Sequence, residues 1–202
     1  MKLVSKIGLA TLVLSLSGLA QAAVYDIDSS HSEVGFKVRH FVAKTGGIFK
    51  KFSGKIEFDE KKSESIKVDA VIETASVDTS NDKRDEHLRG ADFFNVEKFP
   101  TMTFKSTGAK KGSDGKIQVM GDLTILGVTK PVTLDVSFAG VSPDSWGGLR
   151  SGFSASGKVN RKDFGMVYNS VLDNGGLMLG EDVDIMIEIE GIAEGSAKKK
   201  KK

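Results

Sequence analysis

The 202-residue chain contains no cysteine. Disulfides, a thiol nucleophile, a thiolate metal site and a lipid-modified N-terminal cysteine are therefore excluded, and burial alone must stabilise the fold. Histidine is nearly as scarce, His31, His40 and His87 being the full set. On a regular strand His31 and His40 have opposite parity, and His87 falls in a helical segment, so no two share a ligand spacing and no metal is expected. Catalytic signatures are missing too. Gly152-Phe153-Ser154-Ala155-Ser156 lacks the closing glycine of a nucleophile elbow and sits in a strand pattern. Asp78, Ser80 and Asp82 imitate the start of a calcium loop, but Lys83 and Arg89 stand where Gly and Glu are needed. There is no phosphate-binding glycine loop and no carboxylate pair set apart for acid-base work. No basic stripe interleaved with aromatics is present, which argues against nucleic acid. The expectation is a protein that is not an enzyme, with no catalytic residues and no cofactor.

Long hydrophobic runs are confined to the N-terminus. Lys2 and Lys6 precede an apolar stretch from Ile7 to Leu19, and Ala20-Gln21-Ala22 gives the small-x-small pattern read by signal peptidase. The stretch is short for a membrane span, which takes about 20 residues. Residues 1–22 are therefore expected to be a cleaved signal peptide, leaving an exported chain without a transmembrane anchor, in a bacterial periplasm. Of the 29 basic residues, Lys2 and Lys6 lie in that leader and Lys198 to Lys202 form a terminal run, so 22 remain in the body against 27 acidic ones. The body is mildly acidic. Residues 195–202 read as a solvated Lys-rich tail whose alternative use is transient contact with an anionic membrane face.

Period-two alternation dominates residues 23–194, which are expected to form one domain. Val34, Phe36, Val38 and His40 share one strand face, with Glu33, Lys37 and Arg39 on the other. Ile48, Phe52, Ile56 and Phe58 keep phase, as do Ile66, Val68, Ala70 and Ile72. Further strands read at 101–107, 116–125, 131–139, 149–160 and 182–192, with a short one at 24–27, giving about nine segments. One wet face per strand excludes a doubly covered parallel sheet. So many antiparallel strands must close into a barrel or a sandwich. Gly54, Ala70, Gly121, Ala155 and Gly157 also face inward. Small inward residues fit a cavity or tight corner packing equally.

The segment Arg84 to Pro100, RDEHLRGADFFNVEKFP, breaks the alternation. Ser80 or Asn81 can cap a helix over Asp82 to Arg89, and Gly90 can end it. Such a short polar helix needs docking, with Leu88, Phe93 and Phe94 as the apolar contacts. Dense charge followed by paired phenylalanines suits a place where a polar rim meets an apolar interior.

An ordered set of short matches runs through the chain. Asp28-x-x-His31-Ser32, the stretch Gly47 to Gly54, and Ser76-Val77-Asp78-Thr79 come first. Arg84-Asp85-x-His87-Leu88 with Asp92-Phe93-Phe94, Phe99-Pro100 with Phe104 and Ser106, and the stretch Gly121 to Val132 follow. Gly147-Gly148 and Arg161-x-Asp163-Phe164-Gly165 close the series. Together these closely resemble the YceI-like family of secreted bacterial proteins, with one departure at Tyr168, where Trp is more usual.

The resemblance implies an all-β fold, an extended antiparallel lipocalin-like barrel with one short helix inserted around 82–90. It further implies a lumen holding a long isoprenoid chain, of quinone or polyprenyl phosphate type, as the bound lipid partner. On that basis Phe36, Val38, Phe52, Ile56, Ile72, Phe93, Phe94, Phe104, Leu123, Phe153 and Phe164 are the expected apolar lining. His40, Arg84, His87 and Arg89 are the expected head-group rim. Alternatives are a fatty acid or amide in the same tunnel, a ligand-free stress-response barrel, or, least favoured, an enzyme acting on such lipids. Exposed edge strands admit a homodimer.

Overall fold

A computed structural model describes residues 22–171 and 176–196. All of the leader but Ala22, and all but two residues of the expected Lys-rich tail, lie outside the described residues. Eleven strands run as β1 (Ala23–Ile27), β2 (Glu33–His40), β3 (Ala43–Phe49), β4 (Phe52–Phe58), β5 (Lys67–Glu73), β6 (Val77–Asp78), β7 (Thr101–Lys111), β8 (Ile117–Ile125), β9 (Val128–Pro143), β10 (Leu149–Asn160) and β11 (Leu179–Ala193). Among the described residues one α-helix, α1 (Asp82–Arg89), stands between β6 and β7, and short 3-10 turns cover Glu60–Ser65, Thr74–Ser76 and Arg161–Phe164. Among the described residues no helix is long and apolar enough to cross a membrane.

The sheet order is β1-β4-β5-β7-β8-β9-β10-β11, and β11 pairs back onto β1, which closes an antiparallel barrel. A branch of β2, β3 and β6 leaves the same edge of β11. The 15-residue length of β11 makes this branch geometrically feasible: Gly191 to Ala193 pair with β1, whereas Leu179 and Val183 to Glu188 pair with β2. The barrel thus widens at one end, and the chain from β6 through α1 to β7 links the branch to the barrel.

Ile48, Phe52, Ile56 and Phe58 do not belong to one strand, because Lys50 and Lys51 separate β3 from β4. The break shifts parity, so Phe49, 5% exposed, faces the interior in place of Ile48. The two-residue strand β6 was too short to carry any alternation. Between β8 and β9 the positive φ of Leu126 (52°) and Gly127 (72°) makes the two-residue hairpin turn whose twist matches its strands.

The interior divides into two apolar clusters. One, built on Tyr25, Phe58, Phe104, Phe153 and Phe164, fills the barrel proper. There the rings of Phe58, Phe138 and Phe153 meet with centroids 4.6 to 5.3 Å apart, each contact adding about 0.5–1.5 kcal/mol to simple burial. The other, built on Phe49, Ile72, Val77, Phe94, Met102 and Met166, lies where the branch, the barrel and the α1 segment converge.

Helix α1 begins as read from sequence, with the Asn81 side chain accepting from Arg84 N at 3.0 Å. Its docking, however, is polar as well as apolar. Asp85, 5% exposed, accepts from Thr79 N at 2.9 Å and from the Thr79 hydroxyl. Arg89 donates to the carbonyls of Ala75 and Val77, both at 2.9 Å. Leu88 and Phe94 complete the contact by packing into the second cluster.

Candidate functional site

Inward-facing side chains of both clusters surround a cavity of about 400 Å³, within the usual range for small-molecule sites. Val34, Phe36 and Val38 of β2 and Ile185, Ile187 and Ile189 of the adjacent β11 line its wall. All of these are half-buried, unlike the fully buried Phe58 or Val119. Their residual exposure is what an internal hollow produces. Phe52 and Ile56 of β4, Ile72 of β5, Phe104 of β7, Leu123 of β8 and Phe153 of β10 continue the lining. Phe93 and Phe94 reach it from the segment after α1, and Phe164 from the turn after β10.

The small inward residues serve both purposes that their size allows. Ala70 and Ala155 border the hollow. At Gly157, by contrast, a Cβ would lie 2.7 Å from Leu134 Cδ2, so that position seats a neighbour and leaves no space.

His40, Arg84 and His87 also line the cavity, and Arg84 and His87 are exposed to solvent, so the hollow reaches the surface beside α1. Arg84 is held there by Thr79, with Nε donating to Oγ1 at 2.7 Å and Nη2 to the carbonyl at 2.8 Å. The His87 ring lies 2.9 Å through Nε2 from Asp92 Oδ2 and packs edge-on against Phe93 (5.0 Å) and Tyr168 (4.9 Å). Phe93 and Tyr168 meet in turn at 5.2 Å. Arg89, expected at this rim, does not line the cavity; its guanidinium is turned onto the Ala75 and Val77 carbonyls and braces α1.

Thr45, Thr79, Arg161 and Tyr168 are polar residues of the wall outside the expected site. Tyr168 entered the sequence reading only as a departure from a motif, and Arg161 only as a motif member. Arg161 is 5% exposed and lines the cavity. It follows the last residue of β10, where alternation ends, so no periodic signal could reveal that the guanidinium turns inward.

A separate polar cluster lies where β1, β10 and β11 meet. Arg150 donates to Asp28 at 2.7 Å, to Asp144 at 3.1 Å and to Glu190. Burial by itself would raise the Asp28 pKa, but hydrogen bonds from Ser30, His31 and Arg150 outweigh it and hold the carboxyl well below the usual carboxylate range. Asp28, His31 and Glu190 bring potential metal-ligand atoms within 4.8 Å of one another, yet both carboxylates already accept hydrogen bonds from the Arg150 guanidinium. Ser30 and Asp28 flank His31 at 3.2 and 2.9 Å, but both contact Nδ1. A nucleophile-base-acid relay needs the two different ring nitrogens.

A family model described as the YceI-like domain matches residues 25–191. The chain belongs to the YceI-like family. The YceI protein of Escherichia coli O6:H1 is 44% identical over 188 residues, covering 92% of this chain and 94% of that relative. Among solved structures, BcnA of Burkholderia cenocepacia superposes with a TM-score of 0.72 at 25% identity, covering 81% of this chain and 98% of its own. A polyisoprenoid binding domain from Saccharophagus degradans gives a TM-score of 0.63 at 17% identity, over 84% of this chain and 98% of that one, a likeness of fold. In this YceI-like barrel the arrangement offers an apolar chain a water-shielded wall and offers a polar group hydrogen-bond donors at the opening.

Proposed function

We propose that the protein is a non-catalytic periplasmic carrier whose cavity holds the chain of an amphiphilic isoprenoid, a quinone or polyprenyl phosphate, with the polar end near His40, Arg84 and His87. The observation that carries this reading is the cavity of about 400 Å³ with its almost wholly apolar wall and its opening beside Arg84 and His87. The polyisoprenoid binding named for the Saccharophagus degradans domain supports the ligand class, and the leader pattern at residues 1–22 supports export.

The energetics suit a carrier. Each buried methylene-sized group contributes about 0.8 kcal/mol, so one isoprene unit gives about 3–4 kcal/mol gross. A few units reach micromolar affinity after the costs of association. Affinity then comes from the chain and selectivity from the rim.

The test is displacement of an environment-sensitive fluorescent probe from delipidated protein by a ubiquinone, a polyprenyl phosphate or oleate. The prenyl compounds should displace the probe at micromolar concentration and better than oleate. Phe36→Glu, with a native circular dichroism spectrum, should bind neither probe nor prenyl lipid. Oleate winning would move the ligand class to fatty acids or amides. A folded Phe36→Glu protein that still binds would remove the cavity from the account.

A further inference from the structure

Arg161 is a buried charged side chain in a mainly apolar wall, and its hydrogen bonding is incomplete. Asn160 caps the 3-10 turn by accepting from Lys162 N at 3.0 Å, and Gly165 reverses the chain at φ 90°. This places Arg161 Nε 2.8 Å from the Gly180 carbonyl and Nη1 2.6 Å from the Met166 carbonyl. Nη2 is buried and has no hydrogen-bond partner among the described residues. The carboxylate that influences Arg161 most, Glu181, is bonded to Lys162 instead. Burial, opposed by that carboxylate, pulls the Arg161 pKa below the ordinary guanidinium range, but a guanidinium keeps its charge across physiological pH.

A buried cation held only by two neutral carbonyls, with one donor nitrogen unmatched, is costly to maintain for structure alone. The same turn bridges the two halves of the interior, since Phe164 belongs to the first apolar cluster and Met166 to the second. Two residues on, Tyr168 packs against His87 at the rim. Arg161 is thus tied to the opening through one short segment while lining the hollow itself.

We infer that Arg161 is a ligand-recognition residue, its unmatched guanidinium edge receiving an acceptor oxygen of the bound amphiphile inside the cavity, behind the rim formed by His40, Arg84 and His87. This inference rests on the carrier reading and deepens it, for it requires the bound molecule to carry a phosphate oxygen or a carbonyl oxygen at its polar end. A pure hydrocarbon cannot satisfy the site.

The experiment compares geranylgeranyl phosphate, a short-chain ubiquinone and squalene as competitors for a fluorescent probe on wild type, Arg161→Met and Arg161→Lys. Arg161→Met should weaken at least one oxygen-bearing ligand tenfold or more relative to squalene, with Arg161→Lys in between. Loss confined to the phosphate identifies an anion site; equal loss of the quinone identifies an acceptor site indifferent to charge. Should Arg161→Met fail to fold, Arg161→Lys gives the same ratio, since squalene is the internal control in every protein. Equal weakening of all three ligands would make Arg161 purely structural and overturn the inference, as would no change for any. Wild type that binds none of the three overturns the carrier reading first, and so marks a different failure.

Discussion

The ring of Phe104 occupies the space over Gly121: a Cβ at that glycine would lie 2.4 Å from Phe104 Cζ and 2.7 Å from the Lys105 carbonyl. The two residues sit diagonally across the β7–β8 pairing, where Ser106 opposes Gly121 and Leu123 opposes Phe104. Phe104 keeps its place in the cavity wall because the neighbouring strand has no side chain there.

Gly121→Ala should therefore overpack the wall. The expected cost is about 1–3 kcal/mol, read as a lower urea midpoint, together with weaker retention of bulky apolar ligands as the ring swings into the hollow. An unchanged midpoint and unchanged ligand affinity would show that the ring relaxes freely and that this contact does not shape the cavity.

The strands and their inward faces were largely legible in the sequence because both follow from period two, whereas the hollow they enclose was expected only from the family resemblance. Once Phe36 or Phe153 is placed on a strand, its face is set, and both line the cavity. What alternation could not show lies where it stops. The Lys50-Lys51 break moves Phe49 inward without disturbing Phe52, and a two-residue strand such as Val77–Asp78 has no period at all. Arg89 was assigned to the rim by charge and position and Arg161 to no site at all, and here side-chain reach decides. Arg89 folds back on two carbonyls below α1, while Arg161 turns into the wall from a 3-10 turn.

The Arg150 cluster predicts a pH dependence. A carboxyl with a depressed folded pKa stabilises above its unfolded value of about 3.9 and loses that contribution as pH falls below it. Asp28 is such a group, held down against burial by Ser30, His31 and Arg150. Wild type should lose stability as pH drops below about 4. Arg150→Met should start lower at neutral pH and show a shallower acid loss in the same range. Parallel curves for the two proteins would contradict this reading.

Asp85 ties α1 to the loop after β6. Asp85→Ala leaves the Thr79 N–H without its acceptor, a loss of about 1–3 kcal/mol for a buried group. Hydrogen exchange should accelerate selectively over residues 79–94 while the barrel strands stay protected. Uniform acceleration across the barrel would mean that the segment is not a separable unit.

The contact of His87 with Phe93 and Tyr168 places three rings beside the opening. His87→Ala should speed release of a preloaded ligand several-fold in stopped-flow displacement, with a smaller change in the association rate. Unaltered release would remove this ring cluster from the exit route.

The most direct measurement is mass spectrometry of a solvent extract from gently purified native protein, with Phe36→Glu purified in parallel. The account predicts a prenyl lipid bearing an oxygen-containing head group in near-stoichiometric amount from wild type and none from the variant. An acyl lipid, or an empty wild-type protein that also refuses prenyl lipids when they are added, would contradict it.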